Sequence, residues 1–335
     1  MRPSAWILIA LCLALLGCDR SDFAEGFRTA DTHHRESWIQ GDPSPVDVLW
    51  VVDTSCSMED EQQALASNFP GFTEFFLESD VSFRLGVTST NIAETDSDGL
   101  DGALNSGWLD QDTEGLQDAW VERALMGIDE GHGREKGLHA AWTALEELGE
   151  STNAGFVRDD ANLAVIVVSD EPDYSTLDQE DSDLFMAAEP FVEWLDGFKG
   201  DPGSSQLSAI VGVSPEGFDA PEGCGRDANS APGEGAYRGD GYLEAAAASG
   251  GAWQSICSAD WTEMLRLLGL LTAGMQDTFV LSAPADPETV QVRVSNSGVA
   301  DWEFDAEQNA VVFVSSSDLP RPGQNIEVEY EELVD

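Results

Sequence analysis

Four short runs constrain this chain more than anything else in it: "VDVLWVVD" (46–53), "VSFRLGVTST" (81–90), "LAVIVVSD" (163–170) and "LSAIVGVS" (207–214). Each is rich in Val, Ile and Leu and ends in Asp, Ser or Thr. A strand that faces water on one side alternates apolar and polar residues; one that is apolar at successive positions has both faces covered, as in a parallel sheet between two layers of helices. The intervening segments supply those layers. In "REKGLHAAWTALEEL", Leu138, Ala141, Trp142, Leu145 and Leu148 recur on one helical face. Leu184, Ala188, Phe191, Leu195 and Phe198 do the same, as do Trp261, Met264, Leu265, Leu268 and Leu271. "EDEQQALASNFPGFTEFFLE" opens with Glu59, Asp60 and Glu61, acids suited to the positive end of a helix, and its Pro70-Gly71 pair is expected to kink or interrupt it. The alternation predicts an α/β domain over residues 46–275, built on a doubly wound, mostly parallel sheet.

The pattern changes after Met275. "TVQVRVS" places Val290, Val292 and Val294 on one side, and "NIEVEYEE" alternates Ile326, Val328 and Tyr330 with glutamates. "TFVLS" and "AVVFVSS" add two further strands, so residues 276–335 are expected to form a small all-β domain. The acidic face from Glu327 to Glu332 reads as a solvated strand that discourages edge pairing. Residues 18–45 are polar and contain Gly41, Pro43 and Pro45, which reads as a tether carrying a candidate short strand at "ESWIQ"; His33-His34 reads as part of that linker. No period of solenoid length recurs.

With 64 acidic residues against 15 basic ones, a net charge of −49, nucleic acid is excluded as a partner, because phosphate binding needs clustered Lys and Arg. Arg2, the apolar run Ala5 to Leu16 and "LLGC" have the shape of a secretory signal too short to span a bilayer. The stretch resembles a bacterial lipoprotein signal (residues 1–17), which would make Cys18 the lipidated mature N-terminus; an ordinary signal peptide cleaved nearby is the alternative. Asp19 bears on inner-membrane retention in some bacteria, but the outer membrane of a Gram-negative envelope is the expected location. Three cysteines then meet an oxidising compartment. Cys224, in a Gly-rich loop, and Cys257, ending an apolar stretch, are expected to pair, leaving Cys56 free and packed as a small hydrophobe.

In an open α/β sheet, ligands bind beyond the carboxyl ends of the strands, where loops converge over a rigid base. Asp53 falls at such an end, and Asp53, Ser55 and Ser57 offer a carboxylate and two hydroxyls at alternate positions of one tight loop. Asp170 ends another strand and is expected at the same mouth. Oxygen donors alone suit Mg²⁺, Mn²⁺ or Ca²⁺ far better than Zn²⁺. Asp96, Asp98 and Asp101 lie among glycines but lack the glutamate that closes an EF-hand, so they read as a solvated loop.

In "VDVLWVVDTSCSMEDEQ", "FRLGVTSTN", "GHGREKGLHAAW", "GFVRDDANLAVIVVSDEPDYS" and "GGAWQSICSADW", the chain resembles a von Willebrand factor A (VWA) domain with a metal-ion-dependent adhesion site (MIDAS), of the type carried by exported bacterial lipoproteins. The resemblance implies first-loop ligands Asp53, Ser55 and Ser57, a third-loop ligand Asp170, and a vacant coordination position that accepts an acidic group of a protein partner. It departs from the family at the second loop, where a threonine ligand is usual and "GIDEGHGREKGL" has none. His132, Thr90 or a water are the candidates for that place.

The expected function is therefore non-enzymatic: a lipid-anchored envelope binding or adhesion protein, with Mg²⁺ the first choice of ion. Two other readings stay open. One is a metal-independent envelope scaffold whose β domain makes the contacts. The other is an envelope hydrolase using Ser55 or Ser57 with His132 or His139 as base, although the chain carries neither G-x-S-x-G nor H-E-x-x-H.

Overall fold

The computed structural model describes residues 32–78, 81–92, 100–128, 134–175, 187–200, 203–216, 218, 220, 222–225, 235–298, 301–314 and 318–333. The signal segment with Cys18, the second-loop His132, and Asp96 and Asp98 lie outside them.

Strands β1 (His33–Ile39), β2 (Val46–Val52), β3 (Phe83–Ser89), β4 (Trp108–Asp110), β5 (Asn162–Ser169), β6 (Ser205–Val211) and β7 (Trp253–Ser255) come from the first three quarters of the chain. Of these, β2 to β7 form one six-stranded sheet in the order β4-β3-β2-β5-β6-β7. All its pairings are parallel except that of the short edge strand β4 with β3. The chain moves outward from β2 to β3 on one side and from β5 to β6 and β7 on the other, so the topological switch point lies between β2 and β5.

Helices cover both faces of this sheet. Every residue of β2 is buried, and alternate residues point into different layers. Val48, Trp50 and Val52 pack with helices α1 (Glu59–Glu78), α2 (Leu116–Ala124) and α6 (Trp261–Thr272). Leu49 and Val51 pack with α3 (Gly137–Trp142), α4 (Ala188–Phe198) and α5 (Tyr242–Ser249). Aromatic rings fill the first layer: Trp120 stacks on Phe69 at 4.2 Å, and Trp50 meets Trp120 edge-on at 5.4 Å.

Helix α1 runs without a break through Pro70, contrary to the expected interruption. Proline removes the N–H that would bond the Ala66 carbonyl. Gln117 Nε2 of α2 donates to that carbonyl instead, at 3.2 Å, so a neighbouring helix supplies the missing donor. Close contact with α6 follows from Gly71 and Gly269: a Cβ on Gly269 would sit 2.2 Å from the Phe72 carbonyl oxygen.

The later strands β8 (Thr278–Val280), β9 (Gln291–Val294), β10 (Ser297–Gly298), β11 (Trp302–Asp305), β12 (Ala310–Phe313) and β13 (Asn325–Glu331) build two smaller antiparallel sheets, ordered β1-β13-β9-β10 and β11-β12-β8. Ile326, Val328 and Tyr330 face the core, where Trp38 meets Phe279 at 5.6 Å and Phe279 meets Phe313 at 5.8 Å.

The segment read as a tether contains β1, which covers the short strand expected at "ESWIQ", extends it back to His33, and pairs along its length with β13 from His33↔Glu331 to Ile39↔Asn325. His33 and His34 are therefore strand residues, and the all-β part of the molecule takes one strand from ahead of the α/β domain. Strand β13, read as exposed, is instead interior to its sheet. Its glutamates are tolerated there because arginines flank them on both neighbouring strands: Arg35 of β1 pairs with Glu327 and Glu329, and Arg293 of β9 lies 3.7 and 3.5 Å from the same two residues. Buried Gln40, just after β1, ties that strand's end to the later segments, donating to the Gln276 and Pro320 carbonyls and accepting from the Gln276 N–H.

Cys224 and Cys257 form a disulfide, as expected. Cys56 is exposed, so the expected packing role is corrected: it lies in a one-turn 3₁₀ segment, Cys56–Met58, in which Met58 is the residue turned into the core. Among the described residues no helix is long and apolar enough to cross a membrane.

Candidate functional site

The carboxyl ends of β2, β3 and β5 are adjacent because the strands are, and this places the sequence candidates together. Asp53 follows β2 and is fully buried. Its N–H donates to the Val168 carbonyl at 2.9 Å, and Ser169 Oγ donates to its Oδ2 at 2.6 Å, so the acid is tied to the last turn of the neighbouring strand. Its Oδ1 accepts the Ser55 N–H at 2.7 Å, which curls the loop tightly. Gln62 Nε2 of α1 fixes the same loop from below, donating to the carbonyls of Asp53 and Gly127, both at 3.0 Å. Asp170 is the residue after β5 and is 7% exposed.

Ser55 Oγ and Ser57 Oγ stand 3.1 Å apart. For a Mg²⁺-sized ion with oxygen ligands at about 2.1 Å, adjacent corners of an octahedron are separated by about 3 Å. The hydroxyl pair therefore has the spacing of two neighbouring ligands, and the donor set fits a hard divalent cation. Among the described residues, no three Asp, Glu, His or Cys side chains form a ready metal cage. The candidate set depends on serine hydroxyls as well as carboxylates.

Thr90, also named from sequence, is buried beside this mouth, its N–H bonded to the Val52 carbonyl at 3.1 Å. Its hydroxyl, however, donates to Glu135 Oε2. Glu135 is the residue that sequence reasoning missed. It is 3% exposed, and its segment is held from both sides: Lys136 N–H donates to the Thr90 carbonyl, and Tyr174 N–H to the Glu135 carbonyl. A residue tied to the loops after β3 and β5 lies over the end of β2, between them. The signal available was the acid three positions beyond His132 in a loop lacking threonine.

The electrostatics are those of crowded, buried acids. Burial raises Asp53 well above the usual carboxylate range, with Asp170 adding to the rise against hydrogen bonds from Ser169 and Ser55. Burial likewise raises Glu135, followed by the charge of Asp53, with Glu171 and Asp170 adding smaller pushes and the Thr90 hydroxyl opposing. A divalent cation would relieve this repulsion.

Asp173 lies beneath the site and holds its loops in register. It accepts from Leu138 N–H at the start of α3 and from the Ser175 hydroxyl, while Tyr242 Oη accepts the Gly137 N–H at 3.0 Å. Burial lifts its carboxyl from 3.8 to about 6, against hydrogen bonds from Ser175, Leu138 and Tyr242. The folded protein thus keeps this proton to higher pH than the unfolded chain does. The associated stabilisation is complete below about pH 4, is lost as pH rises through about 6, and amounts to about 3 kcal/mol. Urea unfolding of metal-free protein across that range is expected to show wild type losing about this amount of stability relative to Asp173→Asn as pH rises. Parallel curves would contradict it.

No protein-family model matches the chain, and no curated protein matches it in sequence. Among solved structures it is similar to the pilus adhesin SpaC from Lactobacillus rhamnosus GG in its open conformation, at 13% identity and a TM-score of 0.41, covering 89% of this chain and 40% of that one. It is also similar to proximal thread matrix protein 1 from the mussel byssus (11% identity, TM-score 0.36, 71% and 48% covered) and to the human COPII-coat protein Sec24c (10%, 0.34, 90% and 42%). The chain spans less than half the length of each of these three. These are distant likenesses of shape.

Proposed function

We propose that this protein is a non-enzymatic binding protein of the bacterial cell envelope, anchored by lipid at Cys18, whose α/β part is a VWA-type domain with a MIDAS-like site. In this reading a divalent cation, Mg²⁺ first, is held by Asp53, Ser55, Ser57 and Asp170. It attracts an acidic group of a protein partner. The observation that carries the reading is the Ser55–Ser57 hydroxyl pair, spaced at 3.1 Å beside two acids at the switch point of the sheet. When bound, the ion supplies a partly dehydrated positive charge in a molecule of net charge −49, which would otherwise repel an acidic partner. The chain's own part is to fix the hydroxyls through the Asp53–Ser55 turn and to brace Asp53 through Ser169 and Gln62. Glu135, bonded to Thr90, takes the place left open in the second loop.

Immobilised mature protein is expected to capture a partner from envelope extract in Mg²⁺, to release it in EDTA, and to capture nothing as Asp53→Ala. Capture undiminished by chelator and by the substitution would instead favour the second reading, a metal-independent scaffold. That reading draws on the β-sheet part of the molecule.

A further inference from the structure

Two tyrosines stand at the mouth of the Asp53–Asp170 site, and each is tied by its backbone to one of the site's acids. Tyr174 N–H donates to the Glu135 carbonyl at 2.7 Å, and Tyr237 N–H donates to the Asp170 carbonyl at 2.8 Å. Tyr237 is 48% exposed and Tyr174 is half-buried. The backbone beneath Tyr237 is unusually well fixed for a loop. Ala236 N–H bonds the carbonyl of Cys224, which is disulfide-linked to Cys257; Gly239 N–H bonds the Gly212 carbonyl at the end of β6, and Asp173 N–H bonds the Asp240 carbonyl. An exposed aromatic ring on a rigid base loses little entropy on contact, which is why tyrosine is enriched where proteins bind one another.

Charges of both signs lie near these rings, with acids in excess: Arg238, next to Tyr237, is paired with Asp240 and Glu244. Glu171 and Asp240 act on the Tyr174 hydroxyl, with Arg134 the opposing cation, and Asp170 and Asp60 act on Glu61 at the start of α1. A carboxylate approaching the ion must pass these acids, so the residues flanking it on a partner need the opposite sign. Lysine and arginine meet that need and also bind tyrosine faces.

We propose that this mouth is a docking surface for a basic segment of a partner protein, with Tyr237 and Tyr174 as its contact residues. The partner's acid is then presented to the ion from within a run of lysine or arginine. This builds on the cation-dependent reading above, but the aromatic contacts are separable from it.

Three short labelled peptides test the idea by fluorescence polarisation in Mg²⁺: one glutamate flanked by lysines, the same glutamate flanked by serines, and the lysine peptide with glutamine replacing glutamate. The lysine–glutamate peptide is expected to bind about tenfold more tightly than the serine peptide. Its affinity should fall about tenfold in Tyr237→Ala and in Tyr174→Ala and be largely kept in Tyr237→Phe, which retains the ring. Lysine preference alone would follow from net charge, so the tyrosine variants decide. If the serine peptide binds as well, or if both alanine variants keep wild-type affinity and thermal midpoint, the docking surface is refuted. If glutamate and glutamine peptides bind alike in wild type and in Asp53→Ala while the tyrosine dependence persists, the docking surface stands and the ion bridge fails.

Discussion

Arg158→Ala is expected to cost about 3–5 kcal/mol of folding stability, far more than loss of an ordinary surface ion pair. Asp47, the second residue of β2, is fully buried. Arg158 reaches it twice, with Nε donating to Oδ1 at 2.7 Å and the backbone N–H to Oδ2 at 2.6 Å. The same guanidinium donates to Ser82 Oγ ahead of β3 and to the Val46 carbonyl. One side chain thus joins the amino ends of β2, β3 and β5, the strands whose opposite ends carry the candidate site. Burial outweighs the guanidinium, so the Asp47 carboxyl lies above its ordinary range even with its partner present. In Arg158→Ala the buried acid would lose its ion pair and keep only the backbone N–H of residue 158 and the more distant charge of Arg84. Urea unfolding checks this, and Asp47→Leu combined with Arg158→Met should recover much of the loss, since an apolar pair has no charge to desolvate. A single-variant loss below about 1 kcal/mol would place the pair with surface ion pairs.

Gly212→Ala is the second large effect expected. Alanine usually stabilises a chain modestly where its backbone conformation is allowed. Here the added Cβ would sit 1.8 Å from the Tyr237 carbonyl oxygen, and backbone cannot swing aside as a side-chain tip can. Either the end of β6 or the 236–239 segment must move, endangering the Gly239–Gly212 and Tyr237–Asp170 hydrogen bonds. Overpacking together with lost hydrogen bonds gives a cost of about 3 kcal/mol. Hydrogen exchange at the Tyr237 amide should accelerate along with the fall in stability. Gly41→Ala, which meets nothing within 4 Å, is the control and should stay within about 0.5 kcal/mol of wild type. Equal behaviour of the two variants would contradict the account.

These effects show where sequence reading succeeds and where it stops. Strands β2, β3, β5 and β6 were legible because burial on both faces writes itself into continuous apolar runs. Asp53 and Asp170 were legible because such runs end in polar residues at the ligand-binding edge. Strand β1 was legible only as a short piece at "ESWIQ": its partner β13 lies almost 300 residues away, its Cα pairing running His33↔Glu331, and the rest of its alternating polar pattern has the look of linker until that partner is known. The glutamates of β13 misled for the same reason, since Arg35 and Arg293 become their neighbours only in the folded sheet. Glu135 was missed because its one local mark, an acid in a second loop without threonine, does not say where that acid points. Its role comes from lying between the loops after β3 and β5, a fact of topology rather than of motif. Pro70 predicts a kinked or interrupted helix by local rules; the helix is not interrupted, and a glutamine from another helix bonds the carbonyl that proline leaves open. Cys56 was assigned to packing from its type alone, whereas the 3₁₀ turn gives the buried place to Met58.

The central claim is that the loops after β2 and β5 present Asp53, Ser55, Ser57 and Asp170 to one divalent cation. Isothermal titration of metal-free protein with Mg²⁺ and with Mn²⁺, on wild type and on Asp53→Ala, tests it most directly. Saturable binding of one ion by wild type and none by the variant is the predicted result; heat absent from both, or unchanged by the substitution, would contradict it.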